Sequence, residues 1–243
     1  MKSDMDVIYL AGGCFWGTQH YMSLLYGVID TEVGYANGNV VDPTYQQVYT
    51  DQTGHVECVK VTYDRNIISL KTLCRLFFKS IDPLLKDRQG DDCGTRYRTG
   101  IYWVHESDKP VINEVFQEVQ SQYDAPLAVE ILPLDSFYTG EDYHQDYLIK
   151  NPDGYCHLPL SLMKTARTYS EVISRLRECS NEEKKLILQD ISYEVLEWLL
   201  ENECHEVRQC ALEILAEKNS LKMPELIRRE DNISCQDNNY IYL

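Results

Sequence analysis

Apolar and polar residues along the first two thirds of the chain follow two different periods. Five segments are rich in β-branched, apolar and tyrosine side chains, which is typical of β-strands: residues 6–11, 28–35, 56–63, 101–104 and 127–132. Apolar residues recur at helical spacing in 14–25 and 70–80, and Ser107 is placed to cap a further helix with Pro110 in its first turn. The pattern predicts an α/β or α+β fold, a compact two-layer mixed sheet with covering helices.

The pattern changes after the turn residues of 151–154. Ser180 and Glu183 have the spacing of a capping box, and one helical stripe is formed by Val207, Cys210, Ala211, Ile214 and Leu215. We therefore predict two domains, residues 1–165 and residues 166–243. The second is expected to be a small, acidic, all-α appendage that ends in a polar tail over residues 231–243.

The charge of the chain limits its partners. The 243 residues carry a formal net charge of −16, which repels nucleic-acid phosphates and anionic lipid. No apolar stretch approaches the roughly 20 residues that a membrane span needs, and residues 1–6 are polar. We expect a soluble, cytoplasmic protein without a nucleic-acid or membrane partner.

Nine cysteines are spaced irregularly, without a C-x-x-C pair. This number and spacing favour reduced thiols over a disulfide framework. Cys156-His157 and Cys204-His205 have no second close-spaced pair to complete a tetrahedral zinc site. We expect neither a metal nor another cofactor.

One cysteine has an unusual setting, the stretch G-G-C-F-W-G at 12–17. If a strand ends at the two glycines and a helix begins at Cys14, the thiol lies at a helix N-terminus, which favours the thiolate and lowers the thiol pKa. Phe15 and Trp16 would wall an apolar pocket beside it. A buried core cysteine with two core aromatics is the alternative, and the motif alone leaves it open.

A carboxylate interrupts an otherwise apolar strand face. Alternation in 56–63 places Glu57 on the same face as Val59 and Val61. On a buried face, desolvation raises the pKa of the carboxyl group and makes it a proton donor near neutral pH. A solvent-exposed Glu57, or one paired with Arg96 or Arg98, is an equal alternative.

Together the motifs resemble those of the A-type peptide methionine sulfoxide reductases. The resemblance covers roughly residues 5–160 and rests on G-C-F-W-G at 13–17, G-Y-A-N-G at 34–38, D-P-T-Y at 42–45, T-G-H-V-E at 53–57, R-Q-G-D-D-C-G-T-R-Y-R-T at 88–99, Y-H-Q-D-Y-L at 143–148 and N-P-D-G-Y-C at 151–156. It implies the family's two-layer fold. It also makes residues 1–165 a catalytic domain that reduces the S epimer of methionine sulfoxide, free or in proteins.

The resemblance also assigns roles to residues. Cys14 matches the nucleophile, Glu57 the acid that protonates the sulfoxide oxygen, and Cys156 the resolving thiol. The remaining matches are Tyr45 and Tyr97 as phenols that hold this oxygen, Asp92 as a carboxylate of the same network, and Phe15 and Trp16 as the pocket for the substrate's methyl group. The implied partners are methionine sulfoxide and a thioredoxin-type dithiol reductant, which reopens the Cys14–Cys156 disulfide.

The chain departs from the family pattern at several positions. Arg96 stands where the family usually has Gln, which adds a cation beside Tyr97 and Asp92 that is expected to lower the pKa of the carboxylate. Cys93 is an additional thiol near the site. The next cysteine after Cys156 is Cys179, and the sequence leaves its part in recycling open.

Two other functions remain as alternatives. The same pocket would serve a non-catalytic sensor of oxidised methionine that signals through the C-terminal helices, although the intact catalytic set speaks against it. A cysteine hydrolase would need a histidine base for Cys14, and no pattern pairs one with it.

Overall fold

The computed structural model describes residues 4–177, 179–202 and 204–218, so the predicted tail of 231–243 lies outside the described residues. The chain divides into two compact units, Met1–Met163 and Lys164–Leu243. None of the helices in the described part of the chain is long and apolar enough to cross a membrane.

The first unit is built on a six-stranded sheet. Its strands are β1 (Met5–Gly12), β2 (Val28–Ala36), β3 (Val56–Asp64), β6 (Thr99–Trp103), β7 (Glu130–Pro133) and β8 (Phe137–Thr139), in the order β7-β6-β1-β3-β2-β8. β6 and β7 are parallel and the other neighbours antiparallel. A short hairpin of β4 (Arg88–Gln89) and β5 (Asp92–Cys93) stands apart. The predicted mixed sheet is confirmed.

Five helices accompany this sheet: α1 (Phe15–Ser23), α2 (Tyr45–Tyr49), α3 (Leu70–Phe78), α4 (Lys109–Gln120) and α5 (Tyr147–Lys150). α1 packs against β2 and β3, and α3 packs against α4. α2 lies in a stretch rich in Gly, Asn, Asp and Pro, which are residues typical of turns. It forms because Thr44 and Gln47 cap its first turn reciprocally.

The start of α4 differs from the prediction. Pro110 lies in the first turn as expected, but Ser107 belongs to a 3₁₀ turn, Glu106–Asp108, and the N-cap is Asp108. The buried carboxylate of Asp108 makes no capping bond and instead accepts a hydrogen bond from Arg65 Nη2 at 3.4 Å. The chain therefore enters the helix through an additional 3₁₀ turn, which the preference of serine for N-cap positions does not predict.

The core of the sheet lies on its two central strands, β1 and β3. Alternate residues of β3, among them Val59 and Val61, are fully buried. Glu57 lies on this same face of β3, directly opposite Tyr35 of β2. The alternation in the sequence thus predicts correctly which way the carboxylate points.

The second unit is helical in all its described elements. α6 (Leu160–Leu176) runs into it and is followed by α7 (Asn181–Gln189), α8 (Tyr193–Leu199) and α9 (His205–Lys218). The predicted capping box is present, with the Ser180 side chain accepting from the N–H of Glu183. The predicted stripe on α9 is buried, and within this unit Trp198 packs edge to face on Tyr169.

Candidate active site

Cys14 lies at the junction of β1 and α1, where it is the N-cap residue of the helix. The preceding Gly13 has φ +82°, and a Cβ there would lie 2.5 Å from Cβ of Gln89, so only glycine fits. The Cys14 side chain makes no capping hydrogen bond, although the backbone N–H groups of Trp16 and Gly17 at the start of α1 lower the pKa of its thiol. The sequence predicts this helix N-terminal setting correctly.

The acidity of Cys14 differs from the prediction. The side chain is 6% exposed, and burial together with the nearby Glu57 raises the thiol pKa well above its usual value. The two N–H groups lower the pKa, but by less. The expected lowering is therefore wrong, because desolvation outweighs the helix terminus when the thiol is enclosed. The resting side chain is a protonated thiol.

Glu57 is a buried carboxyl group next to Cys14. It is 2% exposed, and its Oε2 accepts a hydrogen bond from the backbone N–H of Phe15 at 3.1 Å. Burial raises the pKa of Glu57 to about 8, although the Phe15 N–H and the positive charge of Arg96 oppose this rise. At neutral pH the group is predominantly a carboxylic acid that can donate a proton.

The two arginines that the sequence offered as partners for Glu57 pair elsewhere. Arg96 Nη1 lies 2.7 Å from Asp51 Oδ2, and Arg98 Nε lies 3.1 Å from Glu130 Oε2. Of the alternatives for Glu57, the buried one is observed.

The ion pairs also do not support the expectation that Arg96 acts on Asp92, because Arg96 pairs with Asp51 instead. The 3₁₀ turn Thr95–Tyr97 points both the backbone N–H and the guanidinium of Arg96 at Asp51. The guanidinium carbon lies 4.4 Å from the ring centre of Tyr97 and 4.3 Å from that of Tyr49. Arg96 therefore acts on the site through the Tyr97 ring and through its charge near Glu57.

Two phenol groups lie close enough to Glu57 for its charge to affect their pKa values. Tyr45 begins α2 and Tyr97 ends the 3₁₀ turn, and burial followed by the nearby Glu57 raises the pKa of both, that of Tyr45 to about 12. Both remain O–H donors at neutral pH. Glu141 anchors Tyr45 by accepting its backbone N–H at 2.8 Å, while the other carboxylate oxygen accepts the Tyr35 hydroxyl at 2.5 Å.

Phe15 and Trp16 form an aromatic wall beside the thiol. The Trp16 ring stacks on Tyr147 at 3.7 Å between ring centres, and its Nε1–H donates to His144 Nδ1 at 3.1 Å. His144 is buried and also contacts Phe15 and Tyr45, at 5.1 and 4.5 Å between ring centres. The sequence offers His144 only as a candidate base for a cysteine hydrolase, and reasoning from individual residues missed its contacts here and missed Tyr147, although the motif at 143–148 contains both.

A polar group of side chains also lies close to Cys14. The sulfur of Cys14, a carboxylate oxygen of Asp92 and a ring nitrogen of His157 all lie within 4.8 Å of one another. In the described part of the chain, this is the one group of three such side chains close enough to hold a metal ion. Asp92 accepts the Tyr155 hydroxyl at 3.0 Å, and His157 Nε2 lies 3.1 Å from the carbonyl oxygen of Gly12.

Cys156 lies beside the first turn of α1, which carries Cys14 at its N-cap. A Cβ placed on Gly17 would lie 3.2 Å from the Cys156 sulfur. Both thiols are free, as are all eight cysteines that the structure describes. The structure thus brings the predicted residues to one end of α1. It adds His157, for which adjacency to Cys156 is the only signal in the sequence.

Comparison with known proteins supports the family resemblance that the sequence motifs indicate. The family model for peptide methionine sulfoxide reductase matches residues 6–175. Peptide methionine sulfoxide reductase MsrA of Clostridium acetobutylicum is 53% identical over 160 residues, which cover 66% of this chain and 99% of that protein. The corresponding MsrA of Mycoplasma pneumoniae is 51% identical over 154 residues, 63% of this chain and 98% of that protein.

Solved structures show the same fold. Mxr1 from Saccharomyces cerevisiae in reduced form superposes with a TM-score of 0.60 at 36% identity, covering 63% of this chain and 88% of that one. Methionine sulfoxide reductase A of Corynebacterium diphtheriae gives a TM-score of 0.57 at 34% identity, covering 63% and 77%. The predicted resemblance is confirmed, and the chain belongs to the peptide methionine sulfoxide reductase family of oxidoreductases.

Proposed function

We propose that this enzyme reduces the S epimer of methionine sulfoxide, free and in proteins, and that Cys14 is the nucleophile. The observation that carries the proposal is the pairing of the Cys14 thiol with a buried, protonated Glu57 at one helix N-terminus. Sulfoxide oxygen leaves only when it is protonated, and a buried carboxylic acid supplies that proton at neutral pH.

In the first step, the Cys14 sulfur attacks the sulfoxide sulfur while Glu57 protonates the oxygen, and the thiol proton of Cys14 passes to the Glu57 carboxylate that results. The O–H groups of Tyr45 and Tyr97 stabilise the charge that develops on this oxygen, as pre-oriented donors do in other oxyanion sites. The oxygen passes from the substrate sulfur to Cys14, methionine leaves, and Cys14 becomes a sulfenic acid. Asp92, hydrogen-bonded to Tyr155, contributes a further carboxylate beside Cys14.

The proposed stereochemistry rests on two kinds of surface in the site, one apolar and one polar. The aromatic pair Phe15 and Trp16, held by His144 and Tyr147, provides an apolar surface that suits the methyl group. The oxygen donors Glu57, Tyr45 and Tyr97 are polar groups. When the methyl group and the oxygen are both held in place, the two epimers exchange the positions of the lone pair and the side-chain carbon on sulfur. Only one epimer then fits the site, and we assign it to the S configuration.

In the second step, Cys156 condenses with the Cys14 sulfenic acid to form a disulfide and water. Its position over Gly17 supports this role, because it lies against the same helical turn that carries Cys14. A thioredoxin-type dithiol then reopens the disulfide by exchange, a reaction suited to a reducing cytoplasm.

We further propose that the first unit is the catalytic domain, since every candidate residue lies within Met1–Met163. The helical unit that begins at Lys164 is proposed to be a stabilising appendage.

The test uses the full chain with dithiothreitol and a peptide that carries racemic methionine sulfoxide. Loss of the S epimer alone, abolished in Cys14→Ser, is the expected result. Loss of both epimers would refute the stereochemical assignment, and undiminished loss in Cys14→Ser would refute the nucleophile. Binding of the sulfoxide peptide without turnover would favour a sensor of oxidised methionine instead.

A further inference from the structure

The imidazole of His157 has a defined tautomer. Nε2 lies 3.1 Å from the carbonyl oxygen of Gly12, at the end of β1. A carbonyl oxygen only accepts hydrogen bonds, so Nε2 carries the hydrogen. In the neutral ring, Nδ1 is then left with a lone pair and no proton.

This bare nitrogen is buried and has no hydrogen-bond partner among the residues that the structure describes. A buried acceptor without a partner is costly, so its presence calls for an explanation. A Cβ on Gly17 would lie 3.1 Å from His157 Nδ1 and 3.2 Å from Cys156 Sγ. The lone pair and the Cys156 thiol therefore lie against the same point above the first turn of α1. A nitrogen of the same ring also lies within 4.8 Å of the Cys14 sulfur.

We propose that His157 is the base that removes the proton of Cys156 when Cys156 attacks the sulfenic acid of Cys14. This inference rests on the proposed function and deepens it. The Cys156 sulfur forms the S–S bond as the S–O bond of the sulfenic acid breaks. The thiol proton passes to His157 Nδ1 and then to the departing hydroxide, so that the products are the disulfide and water and the imidazole is neutral again.

The state of the neighbouring groups explains why a base is needed. Burial, assisted by Asp92, raises the pKa of Cys156 above its usual value, so little thiolate exists at neutral pH. Burial lowers the pKa of His157, which keeps the ring neutral, although Asp92 and the Gly12 carbonyl oppose this shift. The titratable groups that face the ring are Cys14, Cys156 and Asp92, the last hydrogen-bonded to Tyr155.

The test is a single turnover of the His157→Gln enzyme without reductant. Glutamine can still donate an N–H to the Gly12 carbonyl, but it offers no base. Quenched samples give the amount of methionine released and, by mass spectrometry, the amount of Cys14–Cys156 disulfide. At pH 7 we expect the rate of disulfide formation to fall about a hundredfold relative to methionine release. Cys14 sulfenic acid should then accumulate and be trapped by dimedone.

The pH profile separates a base from a merely structural residue. The wild-type rate of disulfide formation should stay level from pH 7 to 9, because the imidazole is already neutral. In His157→Gln the rate should climb about tenfold per pH unit, because it then follows the fraction of Cys156 thiolate. His105→Gln, which removes an exposed imidazole paired with Asp6, is the matched control and should leave both rates unchanged.

Two failures are distinguishable. If His157→Gln forms the disulfide at the wild-type rate with the wild-type pH profile, the role of His157 is wrong and the proposed function stands. If the wild-type enzyme releases methionine but never links Cys14 to Cys156, the relay itself is wrong, and the role of His157 falls with it.

Discussion

The backbone N–H of Phe15 donates a 3.1 Å hydrogen bond to Glu57 Oε2 and so joins the first turn of α1 to strand β3. Phe15 follows Cys14 directly, and this bond therefore holds the Glu57 carboxyl group beside Cys14, the proposed nucleophile. The N–H lowers the pKa of Glu57, but burial raises it further, to about 8. Four predictions follow from this arrangement and from the groups around it.

Activity should depend on the proton of Glu57. For the wild type, kcat/KM is expected to fall as pH rises through about 8, because ionised Glu57 cannot protonate the sulfoxide. Glu57→Gln should lower kcat/KM about a hundredfold at pH 7 and abolish this alkaline fall. Steady-state rates at pH 6 to 10 measure both effects. The exposed Glu106→Gln serves as the control, and an alkaline fall that persists in Glu57→Gln would exclude Glu57 as the titrating acid.

Stability should change with pH for the same reason. The pKa of Glu57 is higher in the folded than in the unfolded chain, so its contribution is complete below the unfolded value and is lost as pH rises to about 8. Across this window the free energy of unfolding of the wild type should fall relative to Glu57→Gln by about 1.4 kcal/mol per pH unit. Denaturant unfolding at pH 5 to 9 measures the difference, and parallel curves for the two proteins would contradict it.

Arg96 should set the pH at which kcat/KM falls on the alkaline side of its profile. Its charge lowers the pKa of Glu57, so Arg96→Gln removes a positive charge and should move the fall in kcat/KM to higher pH. The variant also loses the ion pair with Asp51, and unfolding measured at pH 7 should show lower stability. Arg98→Gln, which breaks the pair with Glu130, is the control. If the fall in kcat/KM moves to lower pH in Arg96→Gln, the charge of Arg96 does not lower the pKa of Glu57.

Gly17→Ala should impair the second step more than the first. The added methyl group would lie 3.0 Å from His157 Cε1 and 3.2 Å from Cys156 Sγ, which is tighter than most contacts of a Cβ atom. Both side chains must then shift away from α1 by a few tenths of an ångström. We expect single-turnover disulfide formation to slow severalfold more than methionine release. Equal slowing of both steps would argue that Gly17 serves only the packing of the helix.

Some features could be predicted from the sequence because they depend on neighbouring residues. Strand alternation is local, so the face that Glu57 shares with Val59 and Val61 was predictable, whereas its burial was left open; the capping box at Ser180 was predictable for the same reason. The raised pKa of Cys14 was not, because the helix terminus is a local feature whereas the enclosure comes from distant segments. The bond between Trp16 and His144 joins residues 128 positions apart, and the Arg96–Asp51 pair likewise depends on the fold.

The enclosure of Cys14 also bears on how the enzyme withstands oxidants. Hydrogen peroxide attacks thiolates, and further oxidation to the sulfinic acid destroys a catalytic cysteine. At rest Cys14 is protonated and only 6% exposed, so it offers peroxide little to attack. In the proposed mechanism, a bound sulfoxide brings its own electrophilic sulfur to the thiol and receives the proton of Glu57. The proposal therefore makes Cys14 reactive toward the damaged residue while it is shielded from the agent that causes the damage.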